Sequence, residues 1–236
     1  MPLQTVEPRR LYRQIATQLR GLISAGEFAP LSRLPAERDL ARQLGVSRPS
    51  VREALIALEV EGWVEVRTGS GVYVLARDKA CTDTKLAASE WGPLELIRAR
   101  RAIEGEIAAL AAGCAKRRDI DTLSRALAAM RDDADRGVPP LTSDQDFHLA
   151  IVQACGNAVL TETVETLWTS RRGPLFERLG GHFETLRAWR AAIAEHDTIL
   201  QAIAARDAIA ARAAMQHHMD KSHARFSASW RRNKPA

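Results

Sequence analysis

Residues 34–74 read LPAERDLARQLGVSRPSVREALIALEVEGWVEVRTGSGVYV, and this stretch decides the fold of the N-terminal part of the chain. Gly45 and Gly62 each end a helix-forming segment, and two β-rich runs flank the turn sequence TGSG. Ser47 is a good N-cap for the second segment, because its hydroxyl can accept a backbone N–H. With the apolar stripe of residues 9–25 placed before it, the order of elements predicts a winged helix-turn-helix. We predict helices at 9–25, 36–44 and 47–62 and strands at 63–66 and 72–74.

The start of the third helix is the candidate DNA-reading surface. In a helix-turn-helix, the second helix of the motif lies in the major groove with its N-terminal residues towards the bases. Arginine can bind guanine in bidentate fashion, and serine hydroxyls can bond phosphates or base edges. The alternative is a capped surface helix without a ligand. The residues at this helix start are Ser47, Arg48, Pro49, Ser50 and Arg52.

The composition of the 236-residue chain favours helices. Forty residues are alanine, the best helix former, while aromatic residues make up only 5%. No apolar run approaches the roughly 20 residues needed to cross a bilayer, and the N-terminus lacks the apolar core of a secretory signal. Three widely spaced cysteines argue against a disulfide scaffold and for a reducing compartment. We therefore expect a mainly α, cytoplasmic protein that does not associate with membranes.

The net charge of +5 is distributed unevenly along the chain. Residues 1–80 hold 12 basic and 9 acidic residues, residues 81–220 hold 17 and 20, and residues 221–236 hold 5 and none. A mildly basic N-terminal part and a basic tail are compatible with nucleic acid as a partner. The tail is interpreted either as a frayed terminus or as a further contact to DNA phosphates.

Two domains are expected. Residues 1–77 form the winged helix-turn-helix, 78–92 a polar linker, 93–230 an all-α bundle of six or seven helices, and 231–236 a basic tail. Long proline-free stretches after Pro93 suit long helices. The third helix of the bundle is predicted to begin after Thr142 or Ser143, as an N-cap. The other predicted bundle helices span residues 93–115, 119–136, 158–171, 174–180, 184–205 and 207–228.

Four residues of the bundle have the chemistry of a metal site. Asp144 and His148 stand four apart on one helix, so their side chains project from the same face. His196 and His218 lie next to apolar positions of two later helices. Three imidazoles and one carboxylate suit Zn²⁺, Ni²⁺ or a similar divalent ion. The alternative is that each histidine is a satisfied polar residue, because sequence spacing cannot bring three helices together.

The motifs LPAER, GVSRxxVREAL, LExEG and GxGxxV over residues 10–76 closely resemble the N-terminal domain of GntR-superfamily transcription regulators. The resemblance implies that the wing tip at Thr68 and Gly69 enters the minor groove. One departure is Leu31, which stands where the family usually has a glycine and puts the local turn in doubt. The residues that the resemblance assigns to DNA contact are Arg38, Ser47, Arg48, Ser50 and Arg52.

The segments DQDFHLAI, EHDTILQAI and RDAIAARAAMQHHM look like the ligand-binding FCD domain of the FadR branch. In its metal-binding members the pattern is Asp-x3-His, a His opening a later helix, and a His 22 residues further on. Asp144, His148, His196 and His218 match it, with His217 as an adjacent competitor. The resemblance thus implies one divalent metal ion per chain.

An effector is implied as well. Arg100 matches the family arginine that binds an effector carboxylate, although a surface salt bridge is the alternative. Asn157 is a weaker pocket candidate, and Trp168 and Arg171 are weaker still. The stretches GPLELIRARRAIE and FHLAI look most like hexuronate-type regulators (the UxuR and ExuR group), which implies a sugar acid.

The expected function is that of a transcription regulator, a homodimer on a near-palindromic double-stranded DNA operator, controlled by a small carboxylate at the metal site. Two alternatives remain: the same regulator with a metal-free pocket, and a metalloenzyme. The sequence offers no glutamate placed as a general base for the latter. It does not distinguish an activator from a repressor.

Overall fold

The computed structural model describes residues 10–67, 69–76 and 91–227. The expected wing residue Thr68, most of the linker 78–92 and the tail 231–236 lie outside these ranges. The described residues form two compact units. One contains the described residues up to Gly92 together with Pro174–Leu179, and the other contains Pro93–Gly173 and residues 180–227. In the described ranges no helix combines the length and the apolar character that a membrane crossing requires.

The first unit has the predicted winged helix-turn-helix fold. Its core is formed by buried side chains from all elements, such as Leu19, Leu55 and Val74. The strands pair antiparallel, with Val64 opposite Val74. The observed bounds differ from the predicted ones by one or two residues. The elements are α1 (Leu11–Ser24), α2 (Glu37–Leu44), α3 (Arg48–Val60), β1 (Val64–Arg67) and β2 (Gly71–Val74).

The turn around Leu31 is formed although glycine is absent from it. Leu31 has a φ of 65°, in the left-handed region that favours glycine, and its side chain is 70% exposed. Its backbone N–H donates to the carbonyl of Val74 at 2.9 Å, which ties the turn to the hairpin. The turn that the sequence left in doubt is therefore formed, with Leu31 in a strained backbone conformation.

The second unit is all-helical, as predicted, and the described chain from Pro93 onwards has seven helices. The prediction that Thr142 or Ser143 caps the third of them is wrong. That helix begins at Leu141, and the Ser143 hydroxyl donates to Asp133 at 2.9 Å instead. The helices are α4 (Pro93–Cys114), α5 (Arg117–Asp135), α6 (Leu141–Ala154), α7 (Ala158–Ser170), α8 (Pro174–Phe183), α9 (Leu186–Ala204) and α10 (Ala208–Ser227).

Alanine fills much of the helical core. Ala108 and Ala111 on α4 and Ala211 on α10 are fully buried, and these two helices pack along each other. Small side chains let helix axes approach closely. Larger residues, among them Phe147 and Trp168, complete the core. Residues 174–180 were predicted as part of this bundle, but Pro174–Leu179 of α8 belong to the other compact unit.

Candidate functional site

Asp144, His148, His196 and His218 converge inside the helical unit. They come from α6, α9 and α10 and are 0–5% exposed. One ligand atom from each lies within 4.8 Å of all the others. Nε2 of His196 is 3.1 Å from both Nε2 of His148 and Oδ1 of Asp144. The tertiary structure thus brings together the four residues that the sequence singled out.

Each imidazole is held by its other nitrogen. Nδ1 of His148 lies 2.5 Å from Oε2 of Glu104, and Nδ1 of His218 lies 2.8 Å from Oε2 of Glu195. Nδ1 of His196 donates to the carbonyl oxygen of Ala192 at 2.7 Å. A carboxylate or carbonyl acceptor on Nδ1 fixes the tautomer in which Nε2 carries a lone pair, as in metal-ligating histidines.

The charge state of the cluster fits a cation. Burial lowers the pKa of His218 well below its usual range, and burial also lowers the pKa of His148 against the opposing effect of Glu104. Burial alone would raise the pKa of Asp144, but Arg171 and then His196 lower it well below its usual range. The imidazole nitrogens and the carboxylate oxygen converge on one point, where an ion with nitrogen and oxygen ligands would fit.

A pocket adjoins the cluster and shares Asp144 and His218 with it. One part of its wall is aromatic and apolar, and the other part is charged. The pocket is lined by Arg100, Asp144, Arg171, Phe183, Glu184, Ala188, Trp189, Ala192, His218, Met219, Ser222, Arg225 and Phe226. Apolar walls with a few placed polar groups are typical of small-molecule sites.

Three arginines give this pocket its charge. Arg171 contacts Asp144 Oδ2 at 2.6 Å and Glu184 Oε1 at 3.0 Å. Arg100 is buried and donates to Glu104 at 2.6 Å, so the alternative of a surface salt bridge does not hold, and the pair is internal. Arg225 pairs with Glu195 at 3.0 Å. A guanidinium group presents several N–H donors in a fixed fork, a geometry that suits a carboxylate ligand.

Asn157 has a different place from the one expected. It is exposed and is not among the pocket residues. Its side-chain oxygen accepts from the backbone N–H groups of Val159 and Leu160 at 3.1 and 3.2 Å. Asn157 is therefore the N-cap of α7, which accounts for an asparagine at this position without an effector.

The N-terminus of α3 carries an exposed polar surface. The Ser47 hydroxyl accepts from the backbone N–H of Ser50 at 3.2 Å and so caps the helix, while Pro49 occupies its first turn. The Arg48 side chain is 47% exposed and the Arg38 side chain 81% exposed. Gly69, also exposed, has a φ of 77° at the hairpin turn. Arg48 also lies near a carboxylate, with its Nε 3.8 Å from Oε1 of Glu37.

Arg52 does not share this exposure. Its side chain is fully buried, and its Nη2 donates to both carboxylate oxygens of Glu37 at 2.7 and 2.8 Å. A buried, paired guanidinium cannot reach a base without breaking that pair, so the expected DNA contact of Arg52 is not supported. Arg52 instead ties α3 to the first turn of α2.

The sequence interpretation missed the acidic residues that hold the others in place. Glu104 follows Arg100 by four positions, and Glu195 directly precedes His196, so the only signal was local spacing. Glu37 lies inside the LPAER motif but was not assigned a role. Each of these three glutamates has a partner 15 to 44 residues away in sequence, and local spacing cannot reveal such a partner.

Comparisons with known proteins agree with this architecture. Residues 11–74 match the family described as bacterial regulatory proteins, gntR family, and residues 95–221 match the FCD domain. The Exu regulon transcriptional regulator of Escherichia coli K12 is 38% identical over 229 residues, covering 93% of this chain and 86% of that protein.

Two further relatives are named as regulators of the Uxu operon. The Uxu operon transcriptional regulator of Escherichia coli K12 is 37% identical and is matched by 90% of this chain over 85% of its own length. The Uxu operon regulator of Haemophilus influenzae is 35% identical, with 89% and 80% covered. Among solved structures, E. coli McbR/YncC superposes with a TM-score of 0.51 at 26% identity, covering 92% of this chain and 97% of that one.

Proposed function

Because the chain belongs to the gntR family of bacterial regulatory proteins and carries an FCD domain, we propose that a sugar acid bound beside a divalent metal ion in the helical unit controls its affinity for a DNA operator. The protein is a DNA-binding transcription regulator, and neither its relatives nor its fold are those of enzymes. The metalloenzyme alternative is thereby removed. We place its action in the cytoplasm.

DNA contact is assigned to the exposed N-terminus of α3. Arg48 is the base-reading candidate, because its side chain is half-exposed next to the serine cap of the helix. Ser47 and Ser50 are assigned to phosphates or base edges, Arg38 to the backbone, and Gly69 with Thr68 to the wing contact. A homodimer would place two copies of α3 on a near-palindromic operator.

The observation that carries the metal site is the convergence of three imidazole nitrogens and one carboxylate oxygen. Asp144, His148, His196 and His218 would hold one divalent ion, such as Zn²⁺ or Ni²⁺. When bound, the ion supplies a positive charge and open coordination positions for a carboxylate. Glu104, Glu195 and the Ala192 carbonyl orient the rings for it.

The effector is proposed to be a hexuronate. The pocket provides Arg100 and Arg171 for a carboxylate and Glu184 and Ser222 for hydroxyls, beside an aromatic wall. Relatives at 35–38% identity are named for the Exu and Uxu systems, which supports this class of ligand. The effector changes operator affinity only through its differential affinity for two arrangements of the protein.

The second candidate is a metal-free effector pocket. Arg171 already binds Asp144 at 2.6 Å, so this carboxylate has a cationic partner without an ion. Metal content separates the two candidates. Protein purified without chelator should contain about one divalent ion per chain, and His148→Ala and His196→Ala should lose it. Full metal content in both variants would remove the site.

Two experiments test the effector. A thermal shift measures the binding of D-galacturonate and D-glucuronate. A mobility shift with operator DNA measures whether either acid changes the affinity for the operator. A ligand at 100 times its Kd stabilises the folded state by about 2.7 kcal/mol and raises the melting temperature. We expect stabilisation by at least one hexuronate and altered operator binding. Arg100→Ala should weaken the stabilisation, whereas Arg118→Ala, on the exposed face of α5, should not. No stabilisation of the wild-type protein by either acid would contradict the proposal.

A further inference from the structure

We infer that Trp189 is an effector-binding residue whose indole N–H donates to a hydroxyl oxygen of a polyhydroxylated acid. This inference rests on the proposed function and extends it to the recognition of hydroxyl groups. Trp189 lies on α9 and lines the pocket, and it is 5% exposed. Nothing in the sequence distinguished it from a core tryptophan.

The indole N–H of Trp189 lacks a partner. Its Nε1 atom is buried and has no hydrogen-bond acceptor within the described ranges of the chain. A buried donor that is left unpaired costs about 1–3 kcal/mol, and such groups are rare in folded proteins. Trp189 lines the pocket, so we assign the missing acceptor to a ligand bound there.

The surroundings of Trp189 specify which acceptor fits. Glu184 lines the same pocket, and its carboxylate accepts a hydrogen bond from Arg171 at 3.0 Å. Ser222 adds a hydroxyl. A ligand hydroxyl can accept from the indole N–H and donate to the Glu184 carboxylate at the same time. A carboxylate oxygen can only accept, so it would satisfy Trp189 but not Glu184.

The position of Trp189 relative to the metal cluster places the carboxylate of the ligand at the end away from Trp189. The Arg171 guanidinium lies 5.8 Å from the centre of the Trp189 ring and contacts Asp144 at 2.6 Å. One arginine therefore separates Trp189 from the cluster. A six-carbon acid with its carboxylate at the Asp144 end would place its hydroxyls along the wall formed by Trp189 and Glu184.

The test uses Trp189→Phe, which keeps an aromatic ring and removes the N–H. The matched control is Trp63→Phe. Trp63 directly precedes β1 in the winged helix-turn-helix unit and is not a pocket residue. The Kd of D-galacturonate and D-glucuronate is measured by calorimetry on full-length, metal-loaded protein. Metal content is measured alongside.

We expect Trp189→Phe to bind the hexuronate about 3- to 10-fold more weakly, the effect of one neutral hydrogen bond, with unchanged metal content. Trp63→Phe should stay within about twofold of wild type. In ¹⁵N-labelled wild-type protein, the indole N–H resonance that is missing from Trp189→Phe should move when hexuronate is added.

Two results would overturn the inference while leaving the proposed function intact: an unchanged Kd in Trp189→Phe, or an equal loss in Trp63→Phe. Failure of the wild-type protein to bind either hexuronate would instead overturn the proposed effector, and the role of Trp189 with it.

Discussion

Nε2 of His148 and Nε2 of His196 lie 3.1 Å apart in a buried position. Nδ1 of His148 is hydrogen-bonded to Glu104, and Nδ1 of His196 donates to the carbonyl of Ala192. The two Nε2 atoms, with Asp144 Oδ1 beside them, present lone pairs to one another. A cation at this point turns mutual repulsion into coordination.

Glu104→Gln should weaken metal binding by about 10-fold or more. The Glu104 carboxylate holds Nδ1 of His148, and loss of such an outer partner lowers the basicity and order of the ligand. A competition titration with a chromogenic chelator measures the Kd. Glu106→Gln, two residues further along α4 in an exposed pair with Arg212, is the control and should leave the Kd unchanged. Equal affinities in the two variants would contradict the orienting role of Glu104.

The metal-free protein should lose stability as the pH falls below about 6.5. The native pKa of His218 is lowered from 6.5, and that of His148 is lowered as well, so the unfolded chain binds these protons first. Stability then falls with falling pH, by up to about 1.4 kcal/mol per pH unit for each histidine. Urea denaturation in EDTA at several pH values measures this slope.

His218→Gln should reduce that slope, because one of the two groups no longer titrates. His217→Gln, at the exposed neighbouring position of α10, should keep the wild-type slope. An identical pH dependence of the wild-type protein and His218→Gln would show that this histidine does not govern acid stability.

Arg52→Ala and Arg48→Ala should affect different properties. Removing Arg52 empties a buried site and leaves Glu37 with only the more distant Arg48, at 3.8 Å, so it should cost about 3–5 kcal/mol of unfolding free energy. Arg48→Ala should change stability by less than about 0.5 kcal/mol and weaken operator binding by about 1–3 kcal/mol. Urea denaturation and a mobility shift at fixed salt measure the two effects. Wild-type stability in Arg52→Ala would refute its internal role.

Leu31→Gly should stabilise the protein by about 0.5–1 kcal/mol. Glycine relieves the cost of a left-handed φ of 65°, and part of this gain is lost to the greater freedom of glycine in the unfolded chain. Leu31→Ala removes the exposed side chain but keeps the strain, so it should remain close to wild type. Urea denaturation decides the matter, and a less stable Leu31→Gly would disprove the strain at this turn.

Local signals were enough for the elements of the fold. Gly45, Gly62 and the Ser47 cap mark the ends of helices through backbone effects that act within a few residues, and the observed bounds follow them closely. Where a long-range bond competes, the local prediction fails. Ser143 is a good cap by type, but its hydroxyl bonds Asp133 ten residues away, and the helix starts earlier.

The fold class and the four candidate ligands could be predicted from the sequence, because helix periodicity and residue type are properties of short stretches of chain. The tertiary structure alone decided that Asp144, His148, His196 and His218 meet, and that Glu104 and Glu195 hold two of the rings. It also buried Arg52, exposed Asn157 and placed the unpaired indole of Trp189 in the pocket. The physical reason is that burial and hydrogen-bond partners depend on which helix faces pack together, and the residues on those faces are far apart in sequence.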